Sequence, residues 1–250
     1  MHSDIADGTP VVPLKRQGVS PEITYLQRIS RMRNILFTTV SSLGISLSEK
    51  ALSLFETYQR ELLTWNKKIN LVSVKSDLDI PIRHFLDSLT LAPFIQDQRS
   101  QVLDIGSGAG FPGIPLKIAI PSLKVFLLES SRKKASFLKH IIRTLHLTDI
   151  TVIHNRAEHL MEDEAYRGTF TLVTSRATLK LPQLFRMGAY FLAPKGILIA
   201  MKSKRAEEEL REGANISQNI GFNCGARHDI TLPGTGDFRT IIIYEKFFLR

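Results

Sequence analysis

A chain of 250 residues, 43% hydrophobic and 23% charged, has the balance of a globular protein, which excludes collagen-like and wholly disordered readings. Its single cysteine, Cys224, excludes an internal disulfide framework; apolar runs such as Ile241–Tyr244 are far too short to cross a bilayer, and a cytoplasmic home follows as the expectation. Lys and Arg number 33 against 24 Asp and Glu, a net charge of +9, which points to an anionic partner, nucleic acid before an acidic membrane surface.

Residues 1–20 carry Gly8, Pro10, Pro13 and Gly18 without a hydrophobic period, and read as a disordered, dispensable tail. Met32 is read as an alternative start of translation to Met1, although Ile23, Leu26, Ile29, Met32 and Leu36 keep helical spacing across it. A helix opens at Pro21 behind Ser20. A second opens at Ser48, with Leu52, Phe55, Tyr58, Leu62, Trp65 and Ile69 as its apolar stripe. A third runs near Pro81–Ala92 and stops at Pro93. Residues 21–98 are therefore a helical N-terminal unit. From Gln101 the pattern changes. Strand-like segments Val102–Ile105, Val125–Glu129, Ile150–His154, Phe170–Ser175 and Gly196–Lys202 alternate with helices near Pro112–Ile120, Ser131–Leu145 and Leu181–Leu192 and an acidic turn, Glu158–Glu164. A charged helix, Ala206–Ile220, precedes strands Gly221–Leu232 and Phe238–Phe248, which a Gly-rich loop joins into an antiparallel hairpin. Residues 99–250 then form an α/β domain with a mostly parallel sheet and that hairpin at one edge.

Chemistry concentrates at the end of the first strand, Asp104-Ile-Gly106-Ser-Gly108-Ala-Gly110-Phe111-Pro112-Gly113. A strand, a glycine turn and a helix in succession place a ligand at the carboxyl edge of the sheet. Gly108, Gly110 and Gly113 match the dinucleotide spacing G-x-G-x-x-G, so a nicotinamide-dependent oxidoreductase is the rival reading. Asp104, Gly106, Gly108 and Gly110 match the loop that accepts S-adenosylmethionine. A diphosphate wants free N–H groups at the helix start; Pro112 removes one, and Asp104 adds negative charge that suits a sulfonium and an ammonium. Glu129, ending the next strand, accepts from ribose hydroxyls in either class.

Beyond the loop, Trp65-Asn66-Lys67-Lys68-Ile69-Asn70-Leu71, Arg83-His84-Phe85-Leu86-Asp87-Ser88, the Phe-Pro-Gly at 111–113 and Ser175-Arg176-Ala177 resemble the bacterial ribosomal RNA small-subunit methyltransferase G family, RsmG or GidB, from about Met32 to the C-terminus. The resemblance implies a class I (Rossmann-like) methyltransferase sheet and methyl transfer from S-adenosylmethionine to guanine N7 in 16S ribosomal RNA, free or within a small-subunit particle. It places cofactor contacts on Gly106, Phe111, Ala157, Glu158 and Arg176, beside Asp104, Gly108, Gly110 and Glu129. The chain departs from the family at Glu129, where Asp is common, at Ser203, where Gly commonly follows the Lys, and over its first 31 residues. A non-catalytic ribosome-binding factor that kept the fold is the second rival.

Guanine N7 has a lone pair and no proton, so the chemistry asks for positioning rather than a general base. Arg156, Arg176 and Lys202 are the candidates to hold the base. The segment after the fourth strand lacks the Asn/Asp-Pro-Pro-Tyr loop of amino-group methylases, and Cys224 reads as an ordinary strand residue rather than a nucleophile. The seven histidines are scattered without a ligand motif, so no metal is expected. His84 and Asp87 read either as a pair bridging the helical unit to the sheet or as substrate contacts. Arg132, Lys133, Lys134, Lys139 and Arg143, then Lys202, Lys204 and Arg205, and upstream Arg28, Arg31 and Arg33, are the cations available to RNA phosphates.

Overall fold

The computed structural model describes residues 21–76, 78–176, 179–203 and 207–247. The tail at residues 1–20, and the cations Lys204 and Arg205, lie outside the described residues. Helix α1 spans Pro21–Ser42 and so runs unbroken through Met32, which is buried with Leu36 and Val40. Helix α2 spans Glu49–Asn66. Ser48 caps it, its hydroxyl accepting the Ala51 N–H at 3.2 Å, as short polar side chains at that position do. The stripe expected from the sequence is buried at Leu52, Phe55, Tyr58 and Leu62. The Asn66 side chain closes the turn beyond: its Oδ1 accepts the N–H groups of Leu71 and Val72 at 2.8 and 3.0 Å, and its Nδ2 donates to Val72 O at 2.9 Å.

The third helical stretch differs from its expectation. It is a π-helix, Asp79–Leu86, running into the single turn α3, Asp87–Leu89, and then a 3₁₀ turn, Ala92–Phe94. Pro93 does not stop the last piece but sits in its first turn, where a missing N–H costs no bond.

Seven strands form one sheet in the order β3-β2-β1-β4-β5-β7-β6. They are β1 Gln101–Ile105, β2 Lys124–Leu128, β3 Ile150–Ile153, β4 Phe170–Arg176, β5 Leu192–Ser203, β6 Phe222–Thr231 and β7 Phe238–Lys246. The first five pair in parallel; β7 is antiparallel to β5 and β6 to β7, so the hairpin lies at one edge. The intervening helices are α4 Gly113–Ala119, α5 Arg132–Thr144, α6 Ala157–Leu160, α7 Leu181–Phe191 and α8 Glu207–Asn219. Strand β5 starts four residues before the expected Gly196, because Leu192 already pairs with Phe170 ahead of a register shift.

Side chains of a strand alternate between faces, and the core divides accordingly. Val102, Val125, Leu127, Leu172, Ile199, Met201 and Ile241 face one layer with α1, α2, the π-helix, α4 and α5. Leu103, Ile105, Leu128, Val173, Leu198, Ala200 and Ile242 face the other, with α6 and α7. The N-terminal helices thus share their core with the sheet. Phe55 is fully buried there, its ring 4.9 Å from that of Phe85. Phe55→Ala should cost about 3–5 kcal/mol through lost contact and the cavity left behind, lowering the melting temperature by about 10 °C in calorimetry.

Candidate active site

The β1–α4 turn satisfies its own backbone. Gly106 and Ser107 both donate to Leu128 O, at 2.9 and 3.1 Å; Gly110 and Phe111 both donate to Ser107 O, at 2.7 and 3.0 Å. Gly108 N–H donates to Glu129 Oε2 at 2.8 Å, and Gly113 N–H to Asp104 Oδ2 at 3.0 Å. Ile114 and Leu116 donate to Gly110 O and Pro112 O. Pro112 and Pro115 have no N–H. The start of α4 therefore offers no cluster of N–H groups to a diphosphate. Gly106 and Gly108 have φ of +72° and +60°, the left-handed region that glycine occupies without strain.

Above this turn opens a cavity of about 410 Å³, within the range of a cofactor pocket. Its floor is Ile105, Gly106, Gly108, Leu128 and Glu129; Asn155, Arg156, Ala157 and Glu158 form one wall, Leu179 and Met187 the other, and Ser130 and Lys134 complete the lining. Of the candidates from the sequence, Gly106, Gly108, Glu129, Arg156, Ala157 and Glu158 meet here. Glu129 is buried and anchored, Oε1 accepting the Ser131 N–H at 2.7 Å and Oε2 the Gly108 N–H, with lone pairs left on both oxygens. Exposed Glu158 and Arg156 stand at the rim.

Asp104 lies under the turn on the face toward α2 and α4, fully buried. Its Oδ1 has no hydrogen-bond partner in the protein. Burial pushes its carboxyl up to about 7, against the pull of the Gly113 N–H, the Ser107 side chain and Arg176; Glu129 adds to the rise. An acceptor-lined cavity that carries the carboxylates of Glu129 and Glu158 fits a ligand with positive charge and vicinal hydroxyls, as S-adenosylmethionine has. It does not fit a diphosphate.

Asp104, Gly110, Phe111, Arg176 and Lys202 lie outside the lining. Gly110 is pressed between α4 and α2: a Cβ there would come within 2.5 Å of Ile114 Cδ1 and 2.8 Å of the Tyr58 hydroxyl. Phe111 is buried beneath the turn, stacked on His84 at 4.9 Å and on Tyr58 at 5.6 Å. The Arg176 guanidinium lies over the Phe111 ring at 4.9 Å. It donates to Arg83 O at 3.1 Å, meets His84 Nδ1 at 3.1 Å and reaches Asp87 Oδ2 at 3.5 Å. Arg239 donates to both Asp87 oxygens, at 3.0 and 3.1 Å. His84 and Asp87 thus bridge the π-helix to β4 and β7 through these arginines, not by pairing with each other. Burial, reinforced by Arg176, pushes the His84 imidazole down to about 3, so it stays neutral and accepts at Nδ1. Lys202 sits on the opposite face, its ammonium donating to Leu179 O and Glu209 Oε1.

Among the cations considered for RNA, Lys134 lines the cavity, and Arg132, Lys133 and Lys139 are exposed on α5. Arg33 is ion-paired with Glu49 and Glu56. Asn155, Leu179 and Met187 carried no signal in the sequence; only their positions after β3 and β4 bring them to the cavity. Cys224 is exposed on β6, the outermost strand. Among the described residues no group of three or more His, Cys, Asp or Glu is arranged to hold a metal, and no helix is long and apolar enough to cross a membrane.

Comparison with known proteins places these features in context. The family model described as rRNA small subunit methyltransferase G matches residues 51–222. The ribosomal RNA small subunit methyltransferase G of Syntrophus aciditrophicus is 46% identical over 207 residues, covering 82% of this chain and 86% of that protein. The protein of the same name from Streptococcus pyogenes is 38% identical over 212 residues, covering 84% and 89%. Among solved structures, M. jannaschii TYW2 in complex with AdoMet matches 66% of this chain and 76% of its own, with a TM-score of 0.51 at 16% identity. P. horikoshii TYW2 in complex with MeSAdo gives 0.52 at 12% identity over 66% and 62%. These structures share the sheet architecture.

Because the folded chain binds the Asp104 proton more tightly than the unfolded chain, the stability this group contributes is full below about pH 4. It is lost as pH rises through about 7. Asp104→Asn keeps an acceptor for Gly113 and removes the titration. Its melting temperature relative to wild type should therefore rise between pH 5 and pH 8; a difference flat across that window would show that Asp104 does not titrate there.

Proposed function

The chain belongs to the rRNA small subunit methyltransferase G family, and from that premise we propose that it methylates guanine N7 of 16S ribosomal RNA with S-adenosylmethionine as donor. The observation that carries this reading is the internally satisfied glycine turn beneath an acceptor-lined cavity. Loops that cradle a diphosphate leave their N–H groups free; this one spends them on Leu128 O, Ser107 O, Glu129 and Asp104. That argues against a nicotinamide cofactor.

In this reading Glu129, already fixed by two backbone N–H groups, accepts from the ribose hydroxyls, and Ala157 and Glu158 meet the adenine edge. Gly106 and Gly108 keep the floor free of side chains, and the Asp104 carboxylate beneath them supplies negative potential toward a sulfonium and an ammonium. Once bound, S-adenosylmethionine supplies an electrophilic methyl group. The protein has no proton to remove from N7, so its work is to hold the purine in line and keep water out. Arg156, exposed at the rim, is the cation free to reach the base or a flanking phosphate. Arg176 and Lys202 donate to partners within the protein. Lys134 with Arg132 and Lys133 extends the basic rim for the RNA backbone. An RNA substrate folded within a small-subunit particle would present its own shape to this rim, which suits a domain without an RNA-binding module of its own.

Calorimetry should detect S-adenosylhomocysteine binding and no NAD binding. Tritiated methyl should pass from S-adenosylmethionine to small-subunit particles taken from a strain lacking this activity, with 7-methylguanine as the product on nuclease digestion. Glu129→Ala should weaken cofactor binding at least about tenfold, and Glu158→Ala should raise the cofactor KM with little change in the KM for RNA. Label in an exocyclic amine or a ribose, or NAD binding in place of S-adenosylhomocysteine, would overturn the assignment.

A further inference from the structure

Lys202 stands at the end of β5, one residue beyond Met201, which pairs with Arg176. Strand alternation sends its side chain to the α7–α8 face, away from the Arg176 cluster. There it is buried, with 7% of its surface exposed. Its ammonium donates to Leu179 O at 2.5 Å and to Glu209 Oε1 at 2.6 Å. The same Glu209 oxygen accepts the N–H of Leu181, the first residue of α7, at 2.5 Å. One cation and one carboxylate thus hold the end of the β4–α7 connection and the start of α7. Lys180, between them, is extended, with φ −69° and ψ 150°. Leu179 precedes the helix, so no helical hydrogen bond fixes its carbonyl. Among the described residues of this connection, Leu179 lines the cavity, with Met187 one to two turns into α7.

We infer that Lys202 is a positioning residue for the cofactor: with Glu209 it clamps the Leu179–Leu181 segment so that Leu179 and Met187 form the apolar wall facing Ala157 and Glu158. This rests on the assignment of the cavity to S-adenosylmethionine. A buried charge-assisted clamp suits that task, because it stays closed while the ligand enters and leaves. A flat apolar wall opposite a polar one is what an adenine ring needs to be held on its face and read at its edge. The adenosine moiety is common to donor and product, so the clamp acts on both alike. In this it differs from Asp104, whose charge discriminates the sulfonium from the thioether.

The test is calorimetric binding of S-adenosylmethionine and S-adenosylhomocysteine to the full chain, alongside steady-state methyl transfer. Lys202→Met should raise both dissociation constants by about tenfold, and by the same factor. Lys202→Arg, which keeps the charge and its donors, should recover most of the loss. The KM for RNA should stay within about twofold of wild type, and kcat at saturating cofactor should fall far less than the affinity. Glu209→Gln, which retains an acceptor for Leu181 but drops the charge, should give a smaller shift in the same direction; it carries the test if Lys202→Met melts below assay temperature. Unchanged cofactor affinity with a raised RNA KM or a collapsed kcat would overturn the inference and return Lys202 to the base. A wild-type chain that binds neither ligand would instead overturn the cavity assignment, and the inference with it.

Discussion

The turn from β1 to α4 is the constraint on which the rest of the site depends. Its chain reverses tightly enough to need glycine at 106 and 108, and its N–H groups are satisfied within the protein. The partners that satisfy them come from three places. Leu128 O and Glu129 come from the end of β2, Asp104 from β1, and Ser107 O and Gly110 O from the turn itself. The turn also binds outward, for the Tyr58 hydroxyl of α2 donates to Ala109 O. A shift in any of these would displace the floor of the cavity. The same bonds give the cavity its chemical character: a floor whose donors are spent and whose acceptors remain suits cations and hydroxyl groups.

Next to the turn lies a buried charge cluster that joins the N-terminal helices to the sheet. Asp87, at the start of α3, holds Arg239 of β7 and Arg176 of β4, and Arg176 in turn meets His84 and lies over the ring of Phe111. Burying such charges costs several kcal/mol per ion before pairing repays it, so replacement by apolar residues would often be tolerated for stability alone. What an apolar contact lacks is direction. Arg176 engages His84, Asp87 and the Arg83 carbonyl in one geometry, which sets the π-helix in one register against β4. Phe111 is then pinned from above and below, and the turn follows it. The cluster's geometry therefore reaches the cavity floor through packing.

The architecture was legible in the sequence because its signals are local. Short apolar runs such as Val125–Glu129 and Phe170–Ser175 report strands, and the stripe from Leu52 to Leu62 reports a helix, whatever lies around them. The form of the third helical stretch is not legible in the sequence because its 8 residues hold too few turns to tell an i, i+4 pattern from an i, i+5 one, and because Pro93 fits a first turn as well as it ends a helix. The glycine turn, Glu129 and the pair Ala157–Glu158 were found at once, since each follows a strand's carboxyl end and such ends converge on one crevice.

By itself, then, the amino-acid order determined the βαβ succession, the edge hairpin, the glycine turn and the acid that follows it. Each depends on interactions within a few residues, or on a period that one segment carries alone. Only the tertiary structure decided which charges line the cavity and which are buried beside it. Arg176 and Lys202 end neighbouring strands and look equivalent in the chain. Strand parity sends one toward the N-terminal helices and the other toward α7 and α8, and the layers packed on those faces supply Asp87 and His84 for the first and Leu179 O and Glu209 for the second. A buried cation takes the partners its layer presents, and those partners lie 92 and 89 residues from Arg176 and 23 and 7 from Lys202, separations that no local pattern encodes.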